Sequence, residues 1–515
     1  MFTASKVVNE WVIRALCYIT TVLALSWGCY LFFAHHTLGG PGDQLGYYEQ
    51  ASNLIPFTSV YYGPVYFVTL RAIHEILHTD WFTAAKLVSL LSAIPFLLAC
   101  HRLLERIHGP TPASVGIALI ALNPTFISET YHAYHTLFGA TIICLALVAW
   151  IAGKERSLPV SAASGFLFGI AILTRFQATG FLLGLIGGTL LTLRRPAWHT
   201  LAALSVSAGT AAMVVWSWQI FLIHEQGFVP QNQNFVHLAI PLGAFKDFYS
   251  VDATVEKYGS LSGVLSETGA IPKILAYAIQ QLLRFPLDIG RNLLGPVLLF
   301  FIFGAILFLV NWRRSPCWYY SMACGLFLTG IASASRGWLH YYVAFLPFMI
   351  SLVIDATKFI ECHLNVPKTV YFLCVIVVAT IPWMVTDVKN VFREREWSEW
   401  GEARSYLIAK SMPCDLVTST AGSLPYGTSI RFVDRDRVIQ PWNQEEWLPR
   451  LRSAGITLVV LTERHGFDEF PTLQRYLLKI PGEFPQGLSR ELFIDKPKAL
   501  SVIRIAPAPT TCPQS

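Results

Sequence analysis

Two carboxylates and a tyrosine pair stand directly after the first long apolar segment, in Gly42-Asp43-Gln44-Leu45-Gly46-Tyr47-Tyr48-Glu49. A carboxylate held at a membrane surface is costly to desolvate, which invites a chemical reading. Asp43, and less directly Glu49, would act as general base, taking the proton of an acceptor hydroxyl as it attacks. Partial burial would raise the carboxyl pKa and make it a stronger base. Both acids also suit plain solvated loop positions or the first turn of a helix, where the dipole favours them.

Cations gather at comparable positions. Arg175 lies in Ile172-Leu173-Thr174-Arg175-Phe176, at a hinge between two apolar runs. Arg336 and His340 lie in Ser335-Arg336-Gly337-Trp338-Leu339-His340-Tyr341-Tyr342, and Arg71 lies in the first outer loop. Arginine binds phosphate bidentately and stabilises charge developing on a phosphate leaving group. Snorkelling of long cationic side chains to the headgroup region is the plainer alternative. A further loop, Ser128-Glu129-Thr130-Tyr131-His132-Ala133-Tyr134-His135, offers Glu129, His132 and His135 either as divalent-metal ligands, if helical, or as cavity lining. Tyr47, Tyr48, Tyr62 and Tyr341 complete the expected lining. Trp216, Trp218, Trp312, Trp318 and Trp383 read as an aromatic belt.

The elements that must position these groups are membrane spans. The 515-residue chain is 54% hydrophobic and only 14% charged, against about a quarter charged in soluble proteins. Its mean hydropathy is +0.48. Apolar runs long enough to cross a bilayer fall near 13–33, 82–104, 111–128, 136–153, 157–174, 176–193, 200–223, 292–311, 316–335, 338–356 and 368–386. The third of these is clipped by Pro112 and Pro124. Lys6, Arg102, Arg106, Lys154, Arg156, Arg194, Arg195, Arg313, Arg314, Lys358 and Lys368 mark alternate boundaries, which makes that side cytoplasmic. An odd span count then puts the N-terminus inside and the C-terminus outside. The first apolar stretch is too long for a cleaved signal segment and reads as a retained span.

Three pieces therefore face outward: 34–81, 224–290 and 387–515. In the first, Phe67, Leu70, Ile73 and Leu77 form one face of a helix from Val65 to Leu77, suited to the interface plane. In the second, Ile271, Ile274, Leu275, Ala278, Ile279, Leu282 and Leu283 make a continuous helical stripe. The third turns polar. Its β-rich runs Leu416–Thr420, Ile456–Leu461 and Leu500–Ile505 alternate with helical patterns at Trp397–Lys410 and Glu445–Arg452, which predicts a small α/β domain. The expected division is thus a membrane domain over 1–386 and an extracytoplasmic domain over 387–515. Ten cysteines show no metal-ligand spacing, and only Cys414 and Cys512 lie in the polar C-terminal region. No phosphate-binding glycine loop occurs, which argues against nucleotide hydrolysis.

Four stretches together resemble the GT-C glycosyltransferases, in particular the bacterial branch holding protein O-mannosyltransferases and the lipid A aminoarabinose transferase. They are Asp43-Gln44-Leu45-Gly46-Tyr47-Tyr48; Tyr62-Gly63-Pro64-Val65-Tyr66 leading to Ala85-Lys86-Leu87-Val88-Ser89; Gly165 through Arg175; and His340-Tyr341-Tyr342-Val343-Ala344-Phe345-Leu346-Pro347. The resemblance implies an α-helical polytopic membrane enzyme with about eleven spans. It would move a sugar from a polyprenyl-phosphate donor to a lipid, glycan or protein acceptor on the outer membrane face, with inversion. It assigns the base to Asp43 and the lipid phosphate to Arg175 and, by position, Arg336 and His340. Relatives often carry an aspartate after the third span where this chain has Tyr134-His135, which leaves Glu129 as a substitute. No cofactor is expected, a divalent metal at that loop being the one alternative, and no nucleic acid partner. The expected location is a bacterial inner membrane. A lipid-linked saccharide transporter and a non-catalytic membrane scaffold are the rival classes.

Overall fold

The computed structural model of the chain describes residues 2–34, 43–59, 63–153, 157–193, 198–231, 233–244, 251–333, 339–364, 398–412, 414–419, 431–433, 447–462, 487–496 and 499–505. It forms two compact units. One holds Met1–Phe32, Asn53–Ala72 and Ala85–Asp387; the other holds Phe33–Ser52, Ile73–Ala84 and Val388–Ser515.

The first unit is helical. Among the described residues, five helices are long and apolar enough to cross a membrane: Glu10–Phe33 within α1 (Phe2–Ala34), α4 (Trp81–His108), α7 (Thr136–Gly153), α10 (Trp198–Gln226) and Leu339–His363. Shorter apolar helices are α8 (Leu158–Thr174), α9 (Ala178–Thr192) and α15 (Leu298–Val310). A helix α16 (Cys317–Ser333) precedes a 3-10 stretch, Leu339–Phe345, that runs into α17 (Leu346–Leu364). The eleventh expected segment, 368–386, lies outside the described residues.

The third expected span is not one straight helix. It is a pair, α5 (Pro110–Ala121) and α6 (Pro124–Tyr131), bent by 62°. Proline at 124 has no N–H to continue the ladder. The break is capped instead: Asn123 Oδ1 accepts from the N–H groups of Thr125 at 3.0 Å and Phe126 at 3.3 Å.

Small residues set the helix packing, as expected where lipid supplies no hydrophobic drive between spans. On α9, Gly180, Gly184 and Gly188 repeat every four residues and face α16. A Cβ at Gly180 would come within 2.6 Å of Leu328, and one at Gly184 would meet the carbonyl of Tyr320 at 2.5 Å. Backbone contact this close locks α9 to α16.

In the outer loop, α11 (Val251–Tyr258) and α12 (Leu261–Ser266) precede α13 (Ala270–Phe285), which is followed by the short α14 (Arg291–Leu294). Helix α13 buries Ala270, Ile274 and Ala278, the first two with Phe235, Val236, Ala239 and Val264. The rest of the expected stripe, Ile271, Leu275, Ile279, Leu282 and Leu283, stays exposed. Helix α3 (Pro64–Leu77) likewise buries Tyr66, Phe67 and Leu70, whereas Leu77, expected on the same face, is 50% exposed. The expected stripe is thus buried at Phe67 and Leu70 and partly buried at Ile73, and Tyr66 joins the packed side. Trp318 also departs from its expected place in an aromatic belt: it is buried, edge-on to Tyr319.

The second unit contains α2 (Asp43–Ser52) and a five-stranded sheet ordered β2-β1-β3-β5-β4. Its strands are β1 (Leu416–Ser419), β2 (Arg431–Phe432), β3 (Leu458–Thr462), β4 (Leu488–Ile494) and β5 (Leu500–Ile505). β1 runs parallel to β2 and β3, and β5 is antiparallel to β3 and β4. The helix Ser398–Lys410 lays Ala403 and Leu407 on Val417, Leu458, Val460, Leu500 and Val502. Every residue of β3 is buried, as a strand covered on both faces requires. Asp415 receives hydrogen bonds from Arg504 at 3.0 Å and from the Thr457 hydroxyl at 2.7 Å, and Arg504 also pairs with Glu491. Cys414 is disulfide-bonded.

Candidate active site

Arg175 owes its position to the turn between α8 and α9. It caps α8 in an extended conformation, φ −154° and ψ 120°, with its N–H on the carbonyl of Ala171. The guanidinium carbon then lies 4.0 Å from the centre of the Tyr341 ring, a cation–π contact. Its Nε donates to Gln177 Oε1 at 3.1 Å, and Gln177 Nε2 donates to Asn234 Oδ1 at 3.3 Å. Asn234 opens a 3-10 helix of the outer loop, Asn234–Leu242, so that loop is tied to Arg175 through Gln177.

Arg175, Gln177 and Tyr341 line a recess that is partly open to its surroundings. Thr136 and Ala178, the first residues of α7 and α9, line it too. Helix N-termini present unsatisfied N–H groups and positive partial charge. The Thr136 hydroxyl is buried there with no hydrogen-bond partner among the described residues. Ile143, Phe181 and Phe345 supply apolar wall. One recess thus joins anion-binding groups to hydrocarbon, which suits a phosphate carried on an apolar chain.

Beside it, α6 holds Glu129, only 2% exposed. Glu129 Oε1 lies 3.3 Å from Nδ1 of His132, while Oε2 has no hydrogen-bond partner among the described residues. His135 is buried edge-on to Tyr66, with ring centres 5.8 Å apart. Burial, then the charges of Arg175 and His340, hold the His135 imidazole well below its ordinary pKa. Burial and then Glu129 push the Tyr66 phenol upward. Tyr134 packs on His340 at 5.2 Å and His340 on Tyr341 at 4.2 Å. His340 interacts electrostatically with Glu129, Arg175 and His132. Gly63 brings α3 into this cluster: a Cβ there would run into the carbonyl oxygen of Leu173, two residues before Arg175.

Of the residues expected from sequence, Arg175, His340, Tyr341, Glu129, His132 and His135 thus come together. Arg71 is half-buried on α3, five residues past Tyr66. Tyr62 and Arg336 lie outside the described residues. Asp43 opens α2 in the second unit, with its side chain outside the description. Glu49 is exposed on that helix, whereas Tyr47 and Tyr48 are buried, Tyr48 stacked 6.5 Å from Trp81. Thr136, Gln177 and Asn234 escaped the sequence reading; proximity of Gln177 to Arg175 was the one available signal. Lys86, buried with its ammonium on the Phe32 carbonyl, stands out in sequence as a lysine within an apolar run.

The helical metal site does not form. Helix α6 ends at Tyr131 and His132 is extended, φ −74° and ψ 141°, so Glu129, His132 and His135 share no helical face. Among the described residues, no three His, Cys, Asp or Glu side chains gather as a metal site.

No protein-family description and no curated sequence matches the chain. Solved structures do. The oligosaccharyltransferase of Archaeoglobus fulgidus, in complex with zinc and sulfate, is 15% identical with a TM-score of 0.54, over 86% of this chain and 68% of that one. The archaeal oligosaccharyltransferase AglB from the same organism, with an inhibitory peptide and a dolichol-phosphate, is 12% identical with a TM-score of 0.51, over 88% and 70%. ArnT from Cupriavidus metallidurans, bound to undecaprenyl phosphate, is 13% identical with a TM-score of 0.46, over 95% and 98%. With its apolar helices and its small C-terminal sheet, the chain shares the fold of these archaeal oligosaccharyltransferase structures.

Proposed function

We propose that the chain is an integral-membrane glycosyltransferase that moves a sugar from a polyprenyl-phosphate donor to an acceptor hydroxyl at the outer membrane face. The observation that carries this reading is the recess under Arg175, which places a stacked guanidinium and two helix N-termini above apolar walls. The likeness in fold to an archaeal protein solved with dolichol-phosphate supports the same ligand class.

In this reading the lipid phosphate sits against Arg175 and His340, with Arg336 and Arg71 as further cations. The acceptor oxygen attacks the anomeric carbon from the side opposite the phosphate, so configuration inverts. The bond from that carbon to the phosphate oxygen breaks, and the polyprenyl phosphate leaves with both electrons. One preorganised donor on such a leaving group is worth about 3–4 kcal/mol of barrier. Asp43, with Glu49 behind it, is the carboxylate the sequence offers for the acceptor proton. The disulfide at Cys414 fits an extracytoplasmic C-terminal domain, because such bonds persist in oxidising compartments. A bacterial inner membrane with the N-terminus inside and eleven crossings completes the proposal.

The test is direct. Purified protein is incubated with a panel of polyprenyl-phosphate sugars and candidate acceptors, and free polyprenyl phosphate is measured. Donor-dependent release that Arg175→Ala lowers 100-fold or more supports the assignment. Translocation of the intact donor without bond cleavage would make the chain a transporter instead.

A further inference from the structure

We infer that His132, oriented by Glu129, is the group that takes the proton of the acceptor hydroxyl. This rests on the transferase reading above and competes with Asp43 for the same step.

The geometry is that of a carboxylate behind an imidazole. His132 Nδ1 lies 3.3 Å from Glu129 Oε1 and 3.3 Å from the Ser128 hydroxyl. The two partners differ sharply in exposure: the Glu129 side chain is 2% exposed and that of His132 30%. An imidazole that donates from Nδ1 to a buried carboxylate carries its lone pair on Nε2. A base oriented by a third group in this way is the recurring arrangement for activating a hydroxyl. Among the described residues Glu129 Oε2 has no hydrogen-bond partner, and the carboxylate charge also bears on Tyr66 and His340.

The dyad also lies where the reaction needs it. His340 interacts electrostatically with Glu129, His132 and Arg175, so the base and the phosphate cation act on one common residue. The groups facing the dyad are Tyr131 of its own helix, edge-on at 5.1 Å, Tyr66 of α3, His340, and Arg175 beyond it. In the step itself the hydroxyl O–H bond breaks and its proton passes to Nε2. The oxygen bonds to the anomeric carbon, and the phosphate leaves with the electron pair of the broken bond. Glu129 offsets the charge of the imidazolium, which returns its proton to water.

The experiment uses the full chain with polyprenyl-phosphate sugar and acceptor, reading kcat and donor KM against pH. Wild-type kcat is expected to fall as pH drops and the His132 imidazole becomes protonated from solution. His132→Gln is expected to lower kcat about 100-fold, remove that acid limb and leave donor KM unchanged. Glu129→Gln should lower kcat about 10-fold with the limb retained. His132→Ala, rescued by added imidazole, separates loss of the base from loss of fold. If His132→Gln follows the wild-type profile while Asp43→Asn abolishes the limb, His132 is not the base. If the wild type releases no polyprenyl phosphate from any donor, the transferase reading falls with it.

Discussion

The guanidinium carbon of Arg175 lies 4.0 Å from the centre of the Tyr341 ring, although the two residues are far apart in the chain. Stacking and the hydrogen bond to Gln177 together fix the plane of the guanidinium, so its entropy is lost before a phosphate arrives. Arg175→Ala is expected to lower kcat/KM for the donor by 10²–10³. Arg175→Lys should recover little, since an ammonium neither stacks as a plane nor binds phosphate bidentately. Tyr341→Phe keeps the ring and should stay near wild type, whereas Tyr341→Ala should not. Steady-state kinetics with a polyprenyl-phosphate sugar check all four, and an unchanged Arg175→Ala would remove the phosphate assignment.

Gly63 touches the backbone at Leu173, so Gly63→Ala must push α3 away from the end of α8. The expected cost is about 1–3 kcal/mol of stability, together with a raised donor KM as Arg175 shifts. Gly209, mid-way along α10, has nothing within 4 Å of its missing Cβ. Gly209→Ala should therefore be neutral or stabilising by up to about 1 kcal/mol. Thermal unfolding in detergent distinguishes them; equal effects would refute the close approach.

Asp415 is held below the usual carboxylate range. Burial alone would raise it, but the Met412 N–H, Arg504 and the Thr457 hydroxyl outweigh that. A depressed carboxyl contributes stability that is complete above its unfolded pKa, about 3.9, and is lost as pH falls through the lower folded value. Asp415→Asn should cost about 3 kcal/mol, because it leaves a half-buried Arg504 with fewer partners. It should also flatten the acid limb of the stability profile, read by thermal unfolding between pH 2 and 6. An acid limb as steep as wild type would contradict this.

Cys414 is disulfide-bonded, while Cys17, Cys29, Cys100, Cys144, Cys317, Cys324 and Cys362 are free. Non-reducing peptide mapping should find Cys414 cross-linked, with Cys512 the expected partner as the other cysteine of the polar region. A membrane-impermeant maleimide added to intact cells should label Cys414 only after reduction. Labelling without reductant would refute the bond.

Much of the helical framework could be read from composition. Apolar runs had to become helices because no other open structure satisfies its backbone in lipid. The α/β character of the C-terminal region was equally legible, since β1, β3 and β5 are short β-branched runs between polar turns. β4 was not: Arg490 and Glu491 interrupt it, and only pairing with β5 and the ion pair to Arg504 make it a strand. The bend at Asn123 was visible only as two prolines that weakened a span.

The sequence by itself determined that this is a membrane protein with cations and acids gathered at its span ends. It named Arg175, His340, Glu129 and His132 one by one, because residue type and hydropathy are local properties. Tertiary structure alone decided that Arg175 shares a recess with Gln177, Thr136 and Tyr341, and that His340 interacts with Arg175, Glu129 and His132 together. It also ended α6 at Tyr131, so that Glu129 and His132 meet as a carboxylate–imidazole pair rather than on one helical face with His135. Convergence of distant helices depends on backbone contacts such as Gly63 on Leu173, and no local pattern encodes a contact made across 110 residues.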